Sequence, residues 1–271
     1  MRVQRYKRVR SKKRKFRFLK SRFFWYFVFF LIFLIGISYL FLFSPFFQIK
    51  EIKVFGVEKS LENSIKEILQ AKIKKKILFW ETKSIFLVDS KNLEKELLHS
   101  FPSFSEAEIK RDFLKRNFLF VEIRKREPIA LFCQDKKYFF LDKEGVIFGE
   151  SPELNENMLL ILKETPSDIV FGKNIIEKDV IEKTLKIKSK LQEKMNLPIE
   201  KILIKESKTI DVQTQEKWHI YFNLKRDVNW QITELEAILK EMIPSDKRKN
   251  LKYIDLRFNK VYIFPEDYDK E

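Results

Sequence analysis

The chain has 271 residues, enough for one or two folded units. Its 45% hydrophobic content excludes a wholly disordered chain, and only 5 Gly and 8 Pro exclude collagen-like or low-complexity character. One cysteine, Cys133, excludes an internal disulfide framework and a Cys-rich zinc module. The formal charge of +16 is unevenly placed: residues 1–22 hold twelve Lys and Arg and no acidic residue, so the other 249 residues carry only about +4. A nearly neutral body behind a basic arm argues against nucleic acid as a specific partner.

The arm runs into residues 23–43, 21 residues without a charge, sixteen of them Phe, Leu, Ile or Val. As a helix this stretch is about 31 Å long, against a hydrocarbon core of about 30 Å. Sixteen such residues favour insertion by roughly 5–10 kcal/mol on central-position values. Phe23, Phe33 and Phe43 lie along the anchor, and Trp25, Tyr26 and Tyr39 fall near its ends, where interfacial aromatics belong. Ser44 and Pro45 stop the helix. A retained signal anchor fits better than a cleaved signal peptide, because the apolar run continues five residues past the small residues Gly36 and Ser38. The cation asymmetry predicts a cytoplasmic amino terminus, a single pass through the inner membrane and an external body, with membrane lipid as one partner.

The body begins with a predicted strand over residues 49–54. Gly56 breaks it. Ser60 is positioned to cap a helix whose apolar face is Leu61, Ile65, Ile68 and Leu69. A lysine-rich loop at residues 72–76 follows. Asp89 or Ser90 caps a second helix burying Leu93, Leu97 and Leu98, and Pro102 ends it. Residues 108–113 and 117–124 read as a strand pair. The order is β-α-α-β-β, and Ile52, Val54, Ile65, Leu69, Leu93 and Leu97 are expected to share its core.

Beyond Pro128, residues 129–133 and 138–141 read as a hairpin turning at 134–137, and residues 142–145 as a second turn into 146–148. Residues 150–172 give no clear pattern. A helix is predicted over 177–195, strands near 199–205, 209–213 and 218–222, a helix over 229–242, and closing strands over 253–257 and 261–264. The fold class is α+β: one transmembrane helix, a β-α-α-β-β unit, and a larger domain with a mostly antiparallel sheet.

Five strings in this order carry a resemblance: FQIKEIKVFG at 47–56, SIFLVD at 84–89, REPIA at 126–130, LDKEGVIF at 141–148 and YIDLRF at 253–258. Behind a basic arm and one anchor, they resemble the FtsQ/DivIB family of bitopic bacterial cell-division proteins. That resemblance implies a POTRA domain over 47–127, an FtsQ/DivIB-type β domain over 128–264 and a short tail at 265–271. Two features depart from the family: Lys125 stands where an acidic residue often precedes the arginine, and the loop 71–83 is longer than usual.

No G-x-S-x-G elbow, P-loop or H-E-x-x-H occurs. His99 and His219 read as surface or satisfied histidines, Cys133 as a buried inert thiol, Asp142 and Glu144 as turn residues, and Asp255 with Arg257, on the same face of one strand, as structural cross-strand charges rather than an acid/base pair. The reading is therefore no enzyme, no cofactor and no metal. The last strand is aromatic, β-prone and followed by Pro265, so it suits a sheet edge where a partner strand can add. Its residues alternate, with one of the pairs Val261/Ile263 and Tyr262/Phe264 packing on the domain and the other left outside. The resemblance implies partners of the FtsB/FtsL type and other division proteins, held through Arg257, Phe258, Val261, Tyr262, Ile263 and Phe264, at the division site. A POTRA-containing transport or outer-membrane assembly factor stays open as the alternative, and an anchored envelope enzyme as a third class.

Overall fold

The computed structural model describes residues 22–77, 79–112, 117–155, 157–206 and 208–264. The predicted basic arm (apart from Arg22), the end of the strand predicted over 108–113 and the tail at 265–271 lie outside these residues. Two compact units are distinguished. The first takes the chain up to Lys53 with Asn63–Ser90 and Lys110–Phe120; the second takes Val54–Glu62, Lys91–Ile109 and the chain from Val121 onward.

Helix α1, Arg22–Phe43, is 22 residues long, buries none of them, and is long and apolar enough to cross a membrane. Strand β1 is Glu51–Phe55, two residues later than the predicted start. Gly56 follows at φ +86°, and a Cβ there would stand 1.9 Å from the Ile123 carbonyl oxygen, so both the backbone angle and the close approach require glycine. Helix α2, Lys59–Ile73, begins one residue before Ser60. Ser60 is therefore inside the first turn and is not the cap. The helix buries Ile65, Leu69 and Ile73, each four residues from the next, with Leu61 and Ile68 at the margin of that stripe.

The long loop holds a small hairpin, β2 Lys75–Ile77 and β3 Trp80–Thr82, that the sequence reading did not contain. A 3-10 turn at Ile85–Leu87 leads to α3, Ser90–Ser100, which buries Leu93 and Leu97. Strands β4, Phe104–Arg111, and β5, Phe118–Lys125, follow. They form a three-stranded sheet in the order β1–β5–β4. All six of the predicted core residues around these elements are buried.

The remaining strands are β6 Ala130–Gln134, β7 Lys137–Leu141, β8 Ile147–Ser151, β9 Leu159–Lys163, β10 Ile199–Lys205, β11 Thr209–Thr214, β12 His219–Asn223, β13 Tyr253–Asp255 and β14 Tyr262–Phe264. They make one nine-stranded sheet in the order β14–β13–β12–β11–β10–β9–β6–β7–β8. The predicted hairpin β6–β7 turns through Asp135 and Lys136, both at positive φ, a two-residue turn whose twist matches the strands. Strand β9 comes from the stretch without a readable pattern. It runs parallel to β6 on one side and to β10 on the other, so the sheet is mixed, although most of its strand pairs are antiparallel.

Helices α4, Lys178–Met195, and α5, Val228–Glu241, cover one face of this sheet. Val180, Ile181, Ile187 and Leu191 from α4 and Val228, Ile232, Leu235 and Leu239 from α5 pack against alternate sheet residues such as Phe132, Ile161, Ile202 and Ile220. Asp227 caps α5, its side chain accepting from the Asn229 amide at 2.8 Å. The strands at the β14 end of this sheet form the candidate site.

Candidate functional site

The site is the β14 end of the large sheet. Strand β13 lies parallel to β12 and antiparallel to β14, with Tyr253 opposite Phe264, Ile254 opposite Ile263 and Asp255 opposite Tyr262. Strand β14 is the last strand of the sheet, so its outer edge has no strand partner among the described residues. The period-2 alternation resolves the two pairs of side chains. Val261 and Ile263 pack against the core, whereas Tyr262 and Phe264 stay 53% and 47% exposed.

Tyr262 and Phe264 share their face with a run of rings. His219 stacks with Tyr221 (centroids 6.1 Å apart), Tyr221 meets Tyr253 at 5.6 Å, and Tyr253 stacks on Phe264 at 5.5 Å. Phe258 meets Tyr262 edge-on at 5.9 Å and is itself exposed. This cross-strand ladder stiffens a surface that would otherwise depend on two three-residue strands.

Charged groups hold the ladder. Arg257 donates from Nε to Asp255 Oδ1 at 2.9 Å and from Nη2 to Oδ2 at 2.6 Å, a bidentate fork. Its guanidinium lies 5.0 Å from the Tyr221 ring centroid and 5.5 Å from that of Phe258. The strand predicted over 253–257 ends earlier, at Asp255, so Arg257 lies past β13; the two residues still pair within one segment, where the backbone amide of Arg257 also donates to Asp255. The hydrogen bonds that Arg257 donates to Asp255 raise its pKa, keeping the guanidinium charged. Burial, with the nearby Asp211 carboxylate, raises the Tyr221 phenol.

Two supports were missed by sequence reasoning. Arg226 donates to the Leu256 carbonyl at 2.8 Å and also to the Phe258 carbonyl, fixing the loop between β13 and β14. Asn223 reaches the Arg257 carbonyl at 3.4 Å. No local pattern reports either contact, since about thirty residues separate the partners.

The other candidates fall elsewhere. His219 is satisfied as expected, its Nδ1 2.7 Å from Asp211 Oδ1. His99 is exposed at the end of α3. Cys133 is half-buried rather than fully buried, and desolvation raises its pKa, which disfavours the thiolate. No cluster of three His, Cys, Asp or Glu suited to a metal exists among the described residues. Phe23, Trp25, Tyr26, Phe33, Tyr39 and Phe43 all lie on α1.

The family model described as cell division protein FtsQ/DivIB, C-terminal, matches residues 130–257. That match spans 128 of the 271 residues, just under half of the chain, and it is this stretch that is similar to the FtsQ/DivIB C-terminal domain. The match runs from the first residue of β6 to Arg257, so it takes in the helix-covered sheet and the charged anchor beneath the ladder and ends before β14. A search of curated proteins gives no match. Among solved structures, the chain is similar to the major extracytoplasmic domain of the trans isomer of the bacterial cell division protein DivIB from Geobacillus stearothermophilus. The identity is 12%, the TM-score 0.26, and the likeness covers 42% of this chain and 92% of that one. The match supports a role in cell division, and α1 is long and apolar enough to cross a membrane.

Proposed function

We propose that this chain is a non-enzymatic scaffold of the bacterial division complex, anchored by α1 and capturing division partners of the FtsB/FtsL type through β14. The amino terminus lies in the cytoplasm and the body outside the membrane, at the division site. Residues 47–127 act as a POTRA domain and 128–264 as the partner-binding domain. The observation that supports this reading most is the position of β14: it is the outermost strand, with Tyr262 and Phe264 exposed beside its unpaired edge. An incoming strand gains main-chain hydrogen bonds along that edge, and the ring ladder selects its side chains. Arg257 and Phe258 flank the strand, while Val261 and Ile263 hold it to the core.

Deleting residues 261–271 is expected to abolish capture of the division partners in a pull-down, while a melting curve that keeps a cooperative transition shows that the rest stays folded. Tyr262→Ala and Phe264→Ala should each weaken capture, by differing amounts because their ring neighbours differ, on the order of 2 kcal/mol for a true anchor. Undiminished capture by the folded truncation would rule out edge-strand binding. A reporter active only outside the cytoplasm, fused after residue 271, tests the topology; activity of a strictly cytoplasmic reporter there would reverse it.

A further inference from the structure

The unforeseen hairpin β2–β3 is tied directly to the end of the membrane helix. The last turn of α1 leaves carbonyls without intrahelical donors. Ser84 Oγ donates to the Phe41 carbonyl at 2.9 Å and Gln48 Nε2 to the Leu42 carbonyl at 2.9 Å, and Thr82 Oγ1 also donates to Leu42. Gln48 further accepts from the Lys83 amide at 2.6 Å. The Trp80 ring packs edge-on against Phe43, the final residue of α1, with centroids 6.0 Å apart. Phe41, Phe47 and Phe86 form an aromatic cluster around the same exit. The base of β3 is therefore fixed at the last turn of α1, and a three-residue strand reaches only about 10 Å from it.

What the hairpin shows to its surroundings is unusual for a short surface turn. Phe79 is 87% exposed and Trp80 58% exposed, and Lys74, Lys75 and Lys76 are exposed beside them. Large apolar rings held outward on a small hairpin mark an interaction surface. Trp and Phe next to lysines, within one short strand of a hydrocarbon boundary, are the chemistry of a membrane interface.

We propose that β2–β3 is a second membrane contact. Phe79 and Trp80 enter the interfacial layer of the leaflet from which α1 emerges, and Lys74, Lys75 and Lys76 meet anionic lipid phosphates there. Two points of attachment, unlike one, fix the rotation of α1 about its own axis. The proposal rests on α1 as the spanning helix, and its test separates the two.

The full chain carrying Cys133→Ser and a single spin-labelled cysteine is placed in phosphatidylcholine nanodiscs with or without phosphatidylglycerol. Labels at Phe79→Cys, at Ile35→Cys within α1 and at Glu67→Cys on the exposed side of α2 are compared for collision with oxygen and with a water-soluble nickel complex. The expected result is an oxygen preference at residue 79 that falls between the two references and is strongest with phosphatidylglycerol. Adding K74E, K75E and K76E together should move residue 79 toward the value at residue 67. Nickel access at 79 equal to that at 67, with 35 protected, would overturn the hairpin contact alone. Nickel access at 35 would overturn the spanning helix and the contact together.

Discussion

Asp142 uses one carboxylate for two purposes. Its Oδ1 accepts from the backbone amides of Glu144 and Val146, both at 2.9 Å, closing the turn that contains Gly145. Its Oδ2 accepts from Arg126 Nη1, and Arg126 in turn donates from Nε to the Pro102 carbonyl at 3.1 Å. The side chains are only 5% and 13% exposed, so the pair is largely removed from water. The sequence reading placed Asp142 in turn chemistry and was right about the turn, but Arg126 is sixteen residues away and no pattern links them. Removing one partner strands a buried charge. Arg126→Ala or Asp142→Asn is expected to lower stability by about 3–5 kcal/mol, and replacing both by apolar residues of similar volume should recover much of the loss. Denaturant unfolding of the three variants, with unchanged m-values, checks this.

At the scale of elements, strong local periodicity was enough. Helix α4 starts and ends within one residue of its predicted span because Ile181, Thr184, Ile187 and Leu191 repeat at helical spacing and Asn196 terminates it at φ +49°. In helix α3 Leu97 is fully buried, whereas Leu98, expected on the same buried face, is only half-buried. Leu97→Ala should therefore cost about 2–5 kcal/mol, measured as a shift in the denaturation midpoint; a change near zero would place that face outside any core. Elements that lean on tertiary contacts were read poorly. Strand β9 offers only five residues, and its neighbours β6 and β10 are distant in sequence. Hairpin β2–β3 has three-residue strands whose order depends on Thr82 and Ser84 bonding α1, some forty residues away.

At the scale of the whole molecule, the match of residues 130–257 to the FtsQ/DivIB C-terminal model and the mixed α+β architecture agree with what the sequence suggested. Residues 23–43 already read as a helix long and apolar enough to cross a membrane, because that property depends on composition summed over a continuous stretch. Alternation in residues 261–264 already separates Val261 and Ile263 from Tyr262 and Phe264, because strand geometry fixes a period of two before any partner strand is known. Sheet order, the insertion of β9, the Arg226 clamp on the β13–β14 loop, the Arg257 fork within its own segment and the docking of β2–β3 on α1 were decided by the tertiary structure alone. Each of these except the fork joins residues far apart along the chain, and the fork is aimed by rings on neighbouring strands. Periodicity and capping act within a few residues; contacts of long sequence separation exist only once the chain has closed the loops between them.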